Sequence, residues 1–293
     1  MMQNAPTLRR SVLYVPASSD KALAKLASLS CDVVVVDLED AVAPDRKEVA
    51  RQKLAGILGD RPAGVREMVV RINALSSEWG ADDLAAAIAC RPDGILLPKV
   101  ETPRDVLEAG DVLDEADVPG TLRLWAMIET PRAVLNIGAI AELGRDVASR
   151  LSCLVAGTND LVAMTGVKAT PDRRYLMPWL MQMVLAARAG GIDILDGVSN
   201  DFRDLDAFSA DCAQALAMGF DGKTLIHPAQ IDPAEAAFSP SGEALAEARK
   251  IVTAFTLPEN AGKGAIALDG RMVELLHRAQ AERLLAKAAM IAK

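Results

Sequence analysis

Mostly aliphatic runs of strand length recur along the chain, each closing on a polar or charged cluster. They are Val12–Pro16, Val33–Asp37, Met68–Ile72, Gly94–Pro98, Leu122–Ile128, Cys153–Ala156, Ile192–Asp196 and Gly222–His227. Ala- and Leu-rich stretches with charges at helical spacing separate most of them. Such alternation predicts βα units feeding a parallel sheet. Eight units in one chain predict an α/β fold, a closed (β/α)8 TIM barrel, whose catalytic groups stand at the C-terminal ends of the strands. Those ends carry Glu39 and Asp40, Arg71 and Asn73, Lys99 and Glu101, Glu129, Asp160, Asp196 and His227. A repeated ETPR, in PKVETPRDVLEAG and AMIETPRAVLNIG, sets the register. Thr102 and Thr130 read as helix N-caps with Pro103 and Pro131 at the first helical position, which leaves Glu101 and Glu129 just past their strands.

Residues 1–235 show no internal linker and are expected to form the catalytic barrel. Residues 236–293 read as a C-terminal helical extension: a helix opened by Ser239-Pro240-Ser241, a loop holding Gly262, Gly264 and Gly270, then a second helix. The extension is either a lid and subunit contact or plain packing.

Composition narrows the chemistry. A net charge of -8 argues against a general nucleic-acid binder. The N-terminal residues lack a signal-peptide pattern and no apolar stretch would span a membrane, so the expected compartment is the cytoplasm. Cys31, Cys90, Cys153 and Cys212 are widely spaced without a CxxC pair and read as reduced, buried thiols. His227 and His277 are the only histidines. That scarcity moves the search toward carboxylates, Arg, Lys and metal ions.

Glu129 follows the fifth run and Asp160 the sixth, in VAGTNDL. Two carboxylates on neighbouring strand ends, completed by water or substrate oxygens, suit Mg2+; ordinary surface acids are the competing reading. Gly157 lets the backbone bend closely around a bound oxygen, and Thr158 and Asn159 beside it are expected to help hold a substrate carboxylate. Arg71, in VVRIN, sits where an unpaired cation would be costly. It either grips a substrate carboxylate or enolate oxygen, or forms a mouth salt bridge to Glu39 or Asp40.

In order along the chain, RRSVLYVPA, DVVVVDLEDAV, KEVAR, VVRIN, GILLPKVE, MIETPRAVLN, AGTNDL and GKTLIHPAQI resemble the citrate lyase β-subunit-like and malyl-CoA lyase branch of the HpcH/HpaI aldolase superfamily. The resemblance spans nearly the whole chain. It implies a (β/α)8 barrel, Mg2+ (with Mn2+ as a substitute) held by Glu129 and Asp160, and Arg71 as the substrate-binding arginine. It further implies CoA-thioester substrates and a homo-oligomer, commonly a trimer or hexamer. Arg10, Lys21 and Lys25 are then assigned to CoA; the one-turn spacing of the two lysines also fits a solvated helix face. The second run leads into Asp37, Glu39 and Asp40 where the pyruvate-dependent aldolases carry a histidine, which places the chain in the thioester branch. Glu39 and Asp40 would then orient Arg71 and metal-bound water.

Two departures stand out. Relatives read PGN where this chain reads Pro16-Ala17-Ser18-Ser19, and Met-Ile-Asp where it reads Met272-Val273-Glu274. Glu274 is therefore assigned the proton-transfer role of that aspartate, with Asp269 as a nearby substitute. The expected reaction is cleavage of a citramalyl-, malyl-, methylmalyl- or citryl-CoA into a 2-oxo acid and an acyl-CoA. The alternatives are a CoA-independent aldolase of small 2-oxo acids, or a non-autonomous subunit of an acyl-carrier-protein complex.

Overall fold

The computed structural model describes residues 7–292. Two compact units make it up: Arg9–Phe238, and a smaller unit of the described residues from Ser239 onward with Thr7 and Leu8.

The larger unit is a closed parallel barrel of β1 (Ser11–Pro16), β2 (Val33–Asp37), β3 (Glu67–Arg71), β4 (Gly94–Leu97), β5 (Arg123–Ile128), β6 (Leu151–Ala156), β7 (Asp193–Asp196) and β8 (Gly222–Leu225). Pairing of β8 with β1 through Ser11↔Lys223, Val12↔Thr224 and Leu13↔Leu225 closes the ring. Its helices are α1 (Asp20–Leu23), α2 (Lys47–Gly59), α3 (Gly80–Cys90), α4 (Pro103–Glu115), α5 (Pro131–Glu142), α6 (Thr158–Thr165), α7 (Met177–Gly190), α8 (Leu205–Met218) and α9 (Ile231–Phe238). Thr102 and Thr130 do precede α4 and α5, and the Thr130 hydroxyl accepts from the Ala133 N–H at 3.0 Å.

The strands are apolar on both faces because alternate residues serve two cores. Val12, Val33, Val35, Val69, Trp125, Cys153, Val155 and Leu195 fill the lumen. The intervening residues, Val34, Val70, Ile95 and Leu154 among them, pack outward against Leu54, Val106, Ile137, Leu180 and Phe208 of the helices. At the N-terminal end of the lumen lies Arg9, which donates through Nε and Nη2 to Glu67 (3.1 and 3.0 Å) and through Nη1 to Asp193 (2.9 Å). Its guanidinium lies 4.5 Å from the centroid of the Trp125 ring, so this end is plugged and the opposite end is left for chemistry.

The smaller unit holds α10 (Gly242–Thr256), an antiparallel pair β9 (Ala265–Leu268) and β10 (Arg271–Glu274), and α11 (Leu275–Ile291) around Ala254, Phe255, Ile266 and Val273. The expected Gly-rich loop is thus partly a hairpin. Asp269 and Gly270 form its turn, both at positive φ (50° and 75°), as a two-residue turn that follows the strand twist requires. Cys31, Cys90, Cys153 and Cys212 are free, three of them buried. No helix among the described residues is long and apolar enough to cross a membrane.

Candidate active site

The inward-facing set of each strand continues past the apolar lumen into charge. On β2, Val33 and Val35 lead to Asp37; on β3, Val69 leads to Arg71; on β5, Trp125 and Met127 lead to Glu129. Asp37 pairs in register with Arg71. The arginine forks onto it, Nε to Oδ1 at 2.7 Å and Nη2 to Oδ2 at 2.6 Å. Asp37 is fully buried and its oxygens also accept from the backbone N–H groups of Glu39 and Ala41. Arg71 Nη1 lies 2.8 Å from Glu39 Oε2 and 3.9 Å from Asp40. Beneath the guanidinium sits the Tyr14 ring, its centroid 4.8 Å away. The mouth salt bridge read from the sequence for Arg71 is present, to Glu39 and also to Asp37, and the arginine ends β3 at the mouth.

The segment bearing Glu39 is locked from behind. The buried Lys47 ammonium donates to the carbonyls of Leu38 (2.9 Å) and Glu39 (2.8 Å) and to Asn73 Oδ1 (2.7 Å), while Asn73 Nδ2 donates to Leu38 O and Asp83. On the mouth side Lys99 Nζ donates to Glu39 Oε1 at 2.5 Å. The backbone N–H of the same lysine donates to Glu129 Oε1 at 2.7 Å.

Glu129 is the site's least satisfied group. It is wholly buried, and its Oε2 has no hydrogen-bond partner. Burial, with the charges of Glu39 and Asp160 added, pushes its carboxyl up to about 8. Gly157 packs so closely that a Cβ there would lie 2.2 Å from Glu129 Cβ and 2.8 Å from Oε2. Asp160 stands in the first turn of α6, half-buried. Around the two cations Arg71 and Lys99 stand five carboxylates, those of Asp37, Glu39, Asp40, Glu129 and Asp160. An orphaned carboxylate oxygen in a site with surplus negative charge fits a hard divalent cation. Among the described residues no group of three His, Cys, Asp or Glu forms a metal cage by itself. Waters and substrate oxygens would complete the shell, as Mg2+ commonly requires.

Of the residues assigned to substrate, Gly157 adjoins Glu129 in this way, the side chain of the buried Thr158 packs beside Gly197, and the exposed Asn159 exchanges hydrogen bonds with Asn200 (3.1 and 2.9 Å). Lys21 and Lys25 are exposed after β1. Lys25 lines a cleft of about 280 Å³ with Ser28, His227, Pro228 and Asp232, and His227 stacks on Phe202 at 4.5 Å. The His227 Nδ1 accepts from the Ala229 N–H, and its residue begins a short 3-10 turn at Pro228–Gln230.

Arg10 is not brought to this mouth. It precedes β1, at the opposite end of the barrel, where it is buried and paired with Asp32 (2.8 Å) and Glu235 (3.0 Å). Asp196 is likewise absent from the site. It follows Leu195, which faces inward, so it points into the helix layer and pairs with Lys223 (2.6 Å) and Arg173 (2.7 Å). In the smaller unit Glu274 ends β10 at the start of α11, its N–H donating to His277 Nδ1 at 2.9 Å, and Asp269 pairs with Lys250.

Sequence reasoning left Asp37, Lys47, Lys99 and Tyr14 without roles. The signal for Asp37 was parity: in VVVVD it shares the face of Val33 and Val35. Lys99 offered no such signal, since its φ of 50° is set by how the chain leaves β4.

Comparison with known proteins agrees with this architecture. A (3S)-malyl-CoA thioesterase of Cereibacter sphaeroides is 44% identical over 283 residues, covering 97% of this chain and 95% of that protein. The mitochondrial citramalyl-CoA lyase of Rattus norvegicus is 34% identical, covering 97% of this chain and 87% of that one. The crystal structure of CitE from Mycobacterium tuberculosis, in complex with magnesium, acetoacetate and coenzyme A, superposes with a TM-score of 0.75 at 31% identity, covering 95% and 97% of the two chains. Residues 10–228, which contain every strand of the barrel and all the mouth residues described above, match the family model, and the chain belongs to the HpcH/HpaI aldolase/citrate lyase family.

Proposed function

We propose that this protein is a Mg2+-dependent carbon–carbon lyase that cleaves a 3-hydroxyacyl-CoA of the malyl- or citramalyl-CoA type into a 2-oxo acid and an acyl-CoA. The observation that carries the reading is Glu129: a buried carboxylate with one oxygen unpartnered, packed against Gly157 and held on its other oxygen by the Lys99 backbone N–H. Glu129 and Asp160 would hold the cation. When bound, it would supply Lewis-acid stabilisation of negative charge on substrate oxygen.

The protein's own groups account for the remainder. Asp37 and Tyr14 fix the plane of Arg71, so its charge is preorganised for a developing oxyanion. A base takes the hydroxyl proton, the C–O bond becomes the carbonyl of the 2-oxo acid as the C–C bond breaks, and the released electron pair moves onto the thioester carbonyl as an enolate, which Arg71 is placed to stabilise. The Thr158 and Asn159 segment at the start of α6 would orient the substrate carboxylate. Glu274 of a neighbouring subunit, in its carboxylic acid form, is the group assigned to protonating the enolate carbon. Lys21 and Lys25 supply cationic charge for the CoA phosphates, and the cleft between Lys25 and His227 offers room for part of that carrier.

A second reading is hydrolysis of the thioester, favoured by the relative named as a malyl-CoA thioesterase. Both reactions would draw on the same cation and arginine and differ in the bond broken. The reading is tested by titrating the metal-free protein with Mn2+. Binding by the wild type and its loss in Glu129→Gln and Asp160→Asn, with folding retained, is expected. Unchanged binding in both variants would place the cation elsewhere.

A further inference from the structure

Lys99 touches two carboxylates with its two ends. Its backbone N–H holds Glu129 Oε1 at 2.7 Å and its ammonium holds Glu39 Oε1 at 2.5 Å. The residue adopts φ 50°, a left-handed conformation that side chains enter at a cost and that tends to persist at functional sites. Glu39 is itself buried, and its second oxygen faces Arg71 Nη1 at 2.8 Å as an ion pair without hydrogen-bond alignment. Arg71 is already committed to Asp37 through Nε and Nη2. Lys99 thus makes the aligned bond that restrains Glu39.

We propose that Lys99 is a positioning residue that keeps Glu39 off the cation held by Glu129 and Asp160, so that the cation's open positions go to substrate oxygens. The inference rests on the metal reading given above. Glu39 is a hard-oxygen ligand by chemistry and a neighbour of Glu129 through Lys99, yet among the described residues it completes no three-carboxylate cluster. Two cations acting on its two oxygens account for that restraint. Deleting the ammonium leaves the backbone hold on Glu129 intact, because any residue except proline supplies that N–H. The Lys99 side chain is 43% exposed, so its loss opens no core.

The probe is Mn2+ alone, with the number of exchangeable waters on the bound ion counted by electron spin echo spectroscopy in D2O. Lys99→Met is expected to carry one water fewer than the wild type, as Glu39 takes its place. Lys99→Arg and the double variant Lys99→Met/Glu39→Gln are expected to keep the wild-type count. Glu39→Gln alone should also keep it, which tests the claim even if Lys99→Met fails to fold. An unchanged water count in folded Lys99→Met, whatever its affinity, would reduce Lys99 to a surface charge and overturn the inference. A gain of one water in Glu39→Gln would show that Glu39 already ligates the ion, and would overturn it as well. Failure of the wild type to bind Mn2+ would instead remove the metal reading and this inference together.

Discussion

Replacing Gly157 with alanine adds one methyl group where the structure leaves no space for it. The new Cβ lands 2.2 Å from Glu129 Cβ, against about 3.4 Å for the start of ordinary contact, so about 1.2 Å must be found by moving Glu129 or the exit of β6. Glu129 is wholly buried and held by the Lys99 N–H, so it cannot swing aside into solvent. Gly157 has φ −94°, open to any residue, so the penalty is steric rather than conformational. Overpacking of this kind costs about 1–3 kcal/mol, and each kcal/mol lowers Tm by about 2–4 °C in a protein approaching this size. A displacement near 1 Å of a catalytic group can cost about 100-fold in rate. Gly157→Ala should therefore melt lower, bind Mn2+ more weakly and turn over a 3-hydroxyacyl-CoA about 100-fold more slowly. Gly110→Ala is the control: nothing lies within 4 Å of its added Cβ, and inside α4 it should gain about 0.5–1 kcal/mol without touching activity. Differential scanning fluorimetry, calorimetric Mn2+ titration and steady-state kinetics measure the three effects. Wild-type metal affinity and turnover in Gly157→Ala would refute the close packing of Gly157 on Glu129 as a feature of the site.

Two further outcomes separate the ends and faces of the barrel. Arg9→Met removes the guanidinium from Glu67 and Asp193 at the barrel floor and should cost about 3–5 kcal/mol in denaturant unfolding, while a folded sample keeps wild-type Mn2+ affinity because the site is at the other end. Burial alone would raise the Asp196 pKa, but Lys223 and Arg173 outweigh it and hold it below 3.8. The depressed value means that Asp196 contributes stability in full above its unfolded pKa and loses it as pH falls through the folded one. Asp196→Asn should destabilise the protein at neutral pH and flatten the acid limb of its stability curve, read by urea unfolding from pH 7 to pH 3; an unchanged acid limb would contradict the pairing.

Much of the fold was legible because a barrel strand buried on both faces must be an unbroken apolar run, and VVVV, MVV and GILL have few other uses. Strand direction was legible too, since Thr-Pro capping puts helices after strands and so tells top from bottom. Which residues share the mouth depends on information that lies below the run. Asp196 was grouped with the strand ends because it closes an apolar run, and Arg10 was assigned to CoA through the resemblance. Arg10 precedes its strand and Asp196 has outward parity, so each leaves the site for a definite geometric reason. The β9–β10 hairpin was written in AIAL-DG-RMVE, but glycine clustering masked the alternation. Glu129, Asp160 and Arg71 were legible as residue types at strand ends. The Asp37 fork and the two-ended grip of Lys99 depend on side chains meeting across strands, which no local pattern encodes.

The central claim is that this mouth breaks a carbon–carbon bond, and product identity tests it most directly. The purified protein would be incubated with malyl-CoA and citramalyl-CoA in Mg2+ or EDTA, and the products resolved by mass spectrometry. The account predicts acetyl-CoA with a 2-oxo acid, glyoxylate from the first substrate or pyruvate from the second, formed in Mg2+ and absent both in EDTA and in Glu129→Gln. Free CoA with the intact hydroxy acid as the first products would contradict it and assign the same residues to thioester hydrolysis.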